Sequence, residues 1–208
     1  MRSLNAIFLI VPILMVFTSC NKDDDNEPAP EVDMLYEKTF DSAEDWTEFD
    51  NPYASGKVEN GEFVYEHKGR DSTLWTNLDL YGNLPPNYTL EMSLRLIESD
   101  DDFTYGLTFF RKDNYNYHYM FLYQDCYVLG YLYNYSHHNI DGPKAAECIH
   151  NNGDYNELKI VKSVTTLNYF INNIKVHEHD IEIQSSEGFG IRLISKGKVG
   201  IDYVRLYI

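Results

Sequence analysis

Between residues 115 and 135 tyrosine occupies odd positions only: Tyr115, Tyr117, Tyr119, Tyr123, Tyr127, Tyr131, Tyr133 and Tyr135, with Phe121 and Leu129 filling two of the gaps. A period of two is the spacing of an extended strand, whose side chains point alternately to opposite faces. The pattern is not confined to this stretch. Leu90, Met92, Leu94 and Leu96 alternate with Glu91, Ser93 and Arg95, as expected for a half-buried strand. Leu167-Asn168-Tyr169-Phe170-Ile171 runs into Asn172-Asn173, a hairpin-type turn, and Ile174-Lys175-Val176 returns from it. No segment carries a convincing helical period. Short strands punctuated by Gly, Asn and Asp turns predict an all-β, two-sheet antiparallel sandwich.

The tyrosine run also raises a question of register. If Gln124-Asp125-Cys126 forms a three-residue turn, Tyr123 faces Tyr127, Tyr119 faces Tyr131 and Tyr117 faces Tyr133. The rings then make one continuous surface, while His118, Met120, Leu122, Val128 and Leu132 form the opposite, core-facing side. A two-residue turn would split the rings between faces. A tyrosine ring offers a flat apolar platform to a pyranose, and its hydroxyl exchanges hydrogen bonds with ring substituents. Tyr115, Tyr117, Tyr119, Tyr123, Tyr127, Tyr131 and Tyr133 are therefore the expected glycan-binding residues. The competing reading is that tyrosine fits any half-buried pleated surface, or an interface with a protein partner.

The amino terminus predicts an address. Arg2, an apolar run over residues 7–17 and then Phe17-Thr18-Ser19-Cys20 read as a removable export signal over 1–19, since about 20 apolar residues are needed to span a bilayer. The four residues ending at Cys20 resemble the bacterial lipobox, with Phe17 where leucine is usual, which implies lipidation (palmitate) at Cys20. Residues 20–35, with Asn21-Lys22-Asp23-Asp24-Asp25, read as a flexible acidic tether. They resemble the export signal of Bacteroidetes surface lipoproteins, which implies an outer-membrane lipoprotein displayed at the cell surface. Residues 36–208 suffice for one domain. The formal net charge of −16 disfavours nucleic acid and anionic lipid headgroups, so the membrane is met only through the lipid.

Cys126 and Cys148 are the remaining thiols. An oxidising export compartment favours a disulfide between them, with free thiols as the alternative. His177 and His179 share one strand face, and His137, His138 and His150 lie in an irregular stretch over 136–153, but nothing in their spacing fixes a metal site. Glu178, Asp180 and Glu182 alternate with Ile181 and Ile183 and read as a solvated strand face. Trp46 is expected in the core.

Several blocks resemble the concanavalin A-like lectin and glucanase jelly rolls. Phe40-Asp41-Ser42-Ala43-Glu44-Asp45-Trp46 and Val58-Glu59-Asn60-Gly61-Glu62-Phe63-Val64 are similar to the opening strands. Tyr88-Thr89-Leu90-Glu91-Met92 and Tyr105-Gly106-Leu107-Thr108-Phe109-Phe110-Arg111 are similar to later ones, and Ile201-Asp202-Tyr203-Val204-Arg205-Leu206-Tyr207 to the last. The resemblance implies a jelly roll. It also implies a calcium site at Asp202 with Asp41 as partner, although no cofactor is required. The superfamily includes family 16 glycoside hydrolases, whose Glu-x-Asp-x-x-Glu motif is missing from this sequence, and domains resembling 3-keto-disaccharide hydrolases. The expected function is binding of a polysaccharide or oligosaccharide without cleavage. A glycoside hydrolase with an unrecognised site and a surface scaffold or protein-interaction module are the alternatives.

Overall fold

The computed structural model describes residues 32–42, 46–69, 73–78, 84–151, 153–181 and 188–208. The expectations for the signal, Cys20 and most of the tether fall outside these residues. Val32–Ile208 forms one compact unit.

Fifteen strands and no helix are found among the described residues: β1 (Met34–Lys38), β2 (Phe49–Asp50), β3 (Ala54–Glu59), β4 (Glu62–His67), β5 (Thr73–Leu78), β6 (Tyr88–Ser99), β7 (Thr104–Asp113), β8 (Asn116–Tyr123), β9 (Cys126–Tyr133), β10 (Ser136–Ala145), β11 (Asn156–Lys162), β12 (Thr166–Ile171), β13 (Ile174–Asp180), β14 (Phe189–Ile194) and β15 (Gly197–Tyr207). They form two antiparallel sheets. The larger has the order β13-β12-β11-β6-β15-β4-β3-β2, with β1 also paired to β15; the smaller has the order β10-β9-β8-β7-β14-β5.

Alternation builds the core as the sequence leads one to expect. Leu90, Met92 and Leu94 of β6 and Leu158 and Ile160 of β11 face Leu107 and Phe109 of β7 and Ile191 and Leu193 of β14 across the sandwich. Trp46 packs on Phe63 at a ring-centroid distance of 5.0 Å and edge-on to Phe40 at 5.5 Å. Burial of this apolar area, at about 25 cal/mol per Å², is the main stabilising term.

The outer face of the larger sheet is polar and internally satisfied. Glu62 accepts two hydrogen bonds from Arg95, at 2.6 and 2.7 Å, and a third from the Tyr155 hydroxyl. Tyr203 donates to Glu157 at 2.7 Å and Tyr207 to Glu91 at 2.6 Å, with Lys159 between the two carboxylates. The Arg95 guanidinium holds the Glu62 carboxyl below its ordinary pKa, and burial pushes the Tyr155 phenol up to about 12.

Two expectations are overturned here. Tyr123 pairs with Cys126, so the β8–β9 connection is the two-residue turn Gln124-Asp125 and not a three-residue one. The rings are therefore divided. Tyr117, Tyr119 and Phe121 lie on the outer face of the smaller sheet with Val128 and Leu132, whereas Tyr127, Leu129, His118, Met120 and Leu122 point between the sheets. The Cys126–Cys148 bridge is also not formed, and both residues are free thiols. Alternation puts Cys126 on the outer-face set of β9 with Val128 and Leu132, while Cys148 packs against the inter-sheet core.

Gly106 shows how close the smaller sheet is drawn. It has φ +153°, and a Cβ there would lie 2.3 Å from the Met120 carbonyl oxygen on β8. Gly106→Ala is expected to cost about 2–3 kcal/mol, because backbone rather than a movable side chain must give way. A urea titration in which the variant keeps the wild-type midpoint would contradict this packing.

Candidate functional site

Residues of four strands, β7, β8, β9 and β13, and of the turns beside them enclose a cleft at one end of the sandwich. A bulge in β7 between Phe109 and Asp113 interrupts the pairing with β8. Within it Phe110 has φ +49°, a conformation that is rare for a bulky residue and that persists only where surrounding structure enforces it. The consequence is a second ring turned inward. Phe109 and Phe110 both pack on the His118 imidazole, at 5.6 and 5.2 Å. His118 in turn stacks on Tyr131 at 5.3 Å, and Tyr131 on His138 at 4.6 Å with the rings only 10° apart. His179 and Asp180 of β13 and the adjoining Ile181 supply a further wall; Lys112, Asp113, Asn116, Tyr133 and Asn134 form the rim. The cleft holds about 670 Å³.

At the centre of the cleft is an imidazole that burial keeps neutral. His118 is 7% exposed, and its Nδ1 is buried with no hydrogen-bond partner among the described residues. Burial, with a smaller contribution from nearby His179, pushes its pKa down to about 4. The His179 pKa is lowered in the same sense, by burial and by His177. Near pH 7 His118 is therefore an uncharged hydrogen-bonding group beside an aromatic wall.

The predicted glycan residues are distributed unevenly around this site. Tyr117, Tyr131 and Tyr133 line the cleft. Tyr115 lies at the β7–β8 turn beyond the rim, exposed. Tyr119 lies flat on the outer sheet surface, stacked on Phe121 at 4.6 Å, and its hydroxyl passes over Gly130, where a Cβ would come within 2.3 Å of it. Tyr119 is 6% exposed, so its ring is packed and offers no open platform. Tyr127 points inward and donates to Asp141 at 2.8 Å, with His177 3.3 Å from the same carboxylate oxygen. Tyr123, at the end of β8, is half-buried and away from the cleft.

The metal-ligand candidates do not converge. Among the described residues no group of three or more His, Cys, Asp or Glu is placed to hold a metal ion. Asp41 accepts a hydrogen bond from Thr39 at 2.6 Å on an exposed surface, and Asp202 lies half-buried on β15. Of the histidines, His118 and His179 reach the cleft; His150 does not, its Nδ1 lying 2.8 Å from the Tyr155 carbonyl oxygen.

Sequence reasoning missed His118, Lys112, Asp113, Asn116 and Asp180 as cleft residues. His118 carried a signal, as a polar residue in register with Met120 and Leu122 on a face expected to be core. The others became cleft residues only through the meeting of distant strand ends. Arg192 stands outside the cleft. It lies on the outer face of the smaller sheet with its guanidinium 5.2 Å from the Tyr117 ring centroid, and burial pushes its pKa down to about 10.

No family model and no curated protein sequence matches this chain. Solved structures do match. The catalytic domain of an endo-1,3-beta-glucanase (laminarinase) from Thermotoga petrophila superposes with a TM-score of 0.60 at 11% identity, over 86% of this chain and 98% of that one. The carbohydrate-binding module CBM66 from Bacillus subtilis gives 0.52 at 15% identity, over 84% and 97%. A Bacillus subtilis protein of unknown function with a galectin-like fold gives 0.59 at 12% identity, over 84% and 96%. At such identities the likeness establishes the fold alone: a two-sheet antiparallel sandwich of the jelly-roll type that these structures share.

Proposed function

We propose that this protein is a surface lipoprotein whose jelly roll binds a neutral glycan in the end cleft without cleaving it. The observation that carries the reading is the cleft itself. Its wall is the Tyr131 ring stacked on His118 and backed by His138 outside the cleft, and Tyr117, Tyr133, Asn116, Asp113 and Asp180 surround the space. A sugar needs an apolar platform for its C–H face and hydrogen-bonding groups at its rim, and both are present within one cavity. Support comes from the fold shared with a glucanase and a carbohydrate-binding module. The missing Glu-x-Asp-x-x-Glu pattern supports binding over hydrolysis.

Retention of the protein on immobilised β-1,3-glucan or β-1,4-xylan is the direct test. Tyr131→Ala is expected to weaken binding about tenfold, whereas Tyr119→Ala, which removes a ring packed outside the cleft, is expected to lower stability and leave affinity unchanged. Chelation by EDTA should leave retention intact, since the reading needs no cofactor. Release of reducing ends during the assay would replace the binding reading by a hydrolytic one.

His118 makes stability depend on pH in a defined direction. Its pKa of about 4 in the fold lies below the ordinary value of 6.5, so on acidification the unfolded chain takes up the proton first. Stability is present above about pH 6.5 and is lost as the pH falls towards 4, by roughly 3 kcal/mol in all. Thermal melting across that range is expected to show the slope, and His118→Gln to flatten it.

The anchor is tested separately. Cys20→Ser is expected to abolish incorporation of labelled palmitate and to move the protein from the membrane pellet to the soluble fraction. Protease added to intact cells, expected to degrade the wild-type domain, checks its display at the cell surface.

A further inference from the structure

Three two-residue turns in this fold place both central residues at positive φ: Asn60-Gly61, Asn172-Asn173 and Asn134-Tyr135. Such turns match the twist of a hairpin, and Asn and Gly are the residues that tolerate the left-handed conformation. Two of the turns follow that chemistry. The third puts Tyr135 at φ +67°, where a side chain with a Cβ is strained and glycine would serve the hairpin better.

What the strained position holds in place is an exposed ring pair. Tyr135 is 72% exposed and Tyr115 43% exposed, with ring centroids 4.0 Å apart. Tyr115 comes from the neighbouring β7–β8 turn, which is independently braced. The Asp113 carboxylate accepts hydrogen bonds from the Tyr115 backbone N–H at 2.6 Å and from the Asn116 side chain at 2.8 Å. The Asn116 side-chain oxygen accepts the Asn134 N–H at 3.2 Å, tying one turn to the other. Asp113, Asn116, Tyr133 and Asn134 also line the end cleft, so the ring pair continues directly from its rim. Tyr133, 59% exposed, lies on that rim next in sequence to the turn that carries Tyr135.

Resting on the glycan reading above, we infer that Tyr115 and Tyr135 form a second stacking subsite, so that the cleft takes a chain of several sugar units rather than a single ring. The braced turns hold the aromatic platform ready, so little ordering is needed when a second ring arrives. Stacking accounts for the chemistry: the pair is apolar on its faces and hydroxylated at its edges, as a pyranose requires. The local strain is retained because glycine, easier on the turn, would remove the platform.

The experiment is calorimetric titration of the detergent-extracted full chain with β-1,3-gluco-oligosaccharides of one to six units, for wild type and Tyr135→Gly. Wild-type affinity is expected to rise with length by roughly two- to tenfold beyond the shortest bound ligand. Tyr135→Gly is expected to abolish that rise, leave the affinity for the shortest ligand unchanged and keep or raise the melting temperature. Affinity independent of length in the wild type, or a rise that survives Tyr135→Gly, would overturn the second subsite while leaving the cleft as the binding site. Absence of binding at every length would overturn both.

Discussion

Pairing Tyr123 with Cys126 across the Gln124-Asp125 turn sets the facing of every side chain in the β8–β9 hairpin. Because strand side chains alternate, one residue more in that turn would exchange the inner and outer sets of β9. As built, Tyr127 and Leu129 enter the inter-sheet core, Tyr131 reaches the cleft beside His118, and Val128 and Leu132 join Tyr117, Tyr119 and Phe121 outside. The ring stack against His138, paired opposite Tyr131 on β10, follows from the same register.

The end cleft combines features that a purely structural sandwich end would avoid. It brings a bulge, a bulky residue at positive φ and a buried imidazole nitrogen without a hydrogen-bond partner among the described residues to one place. Each costs stability, so their meeting in one place is the local departure from ideal packing on which the binding proposal rests. The outer face of the larger sheet shows the contrasting solution. There Glu62, Arg95 and Tyr155, and likewise Glu91, Glu157, Lys159 and Tyr203, satisfy one another across strands, and their polarity is consumed internally.

Much of the architecture was legible in the amino acids. The alternation in β6 and β8, the Asn172-Asn173 turn and the two-sheet sandwich follow from local rules of spacing and turn chemistry, whereas the jelly-roll class followed from resemblance to known sequences. The site was legible only in part. Tyr117, Tyr131 and Tyr133 belong to it, but a shared odd position did not mean a shared face, because the hairpin turn is shorter than the one that would align them. The pairing expected of Cys126 and Cys148 rested on an oxidising compartment, which does not reveal the side of a sheet on which each thiol lies.

What the sequence alone determined is the alternation that makes two apolar-lined sheets inevitable, a short-range property of adjacent residues. Tertiary structure decided which strand ends meet: His118 from β8, Tyr131 from β9, His179 and Asp180 from β13, and the paired turns carrying Tyr115 and Tyr135. Those meetings depend on turn lengths, a bulge and long-range register, which are settled by packing between segments far apart in the chain.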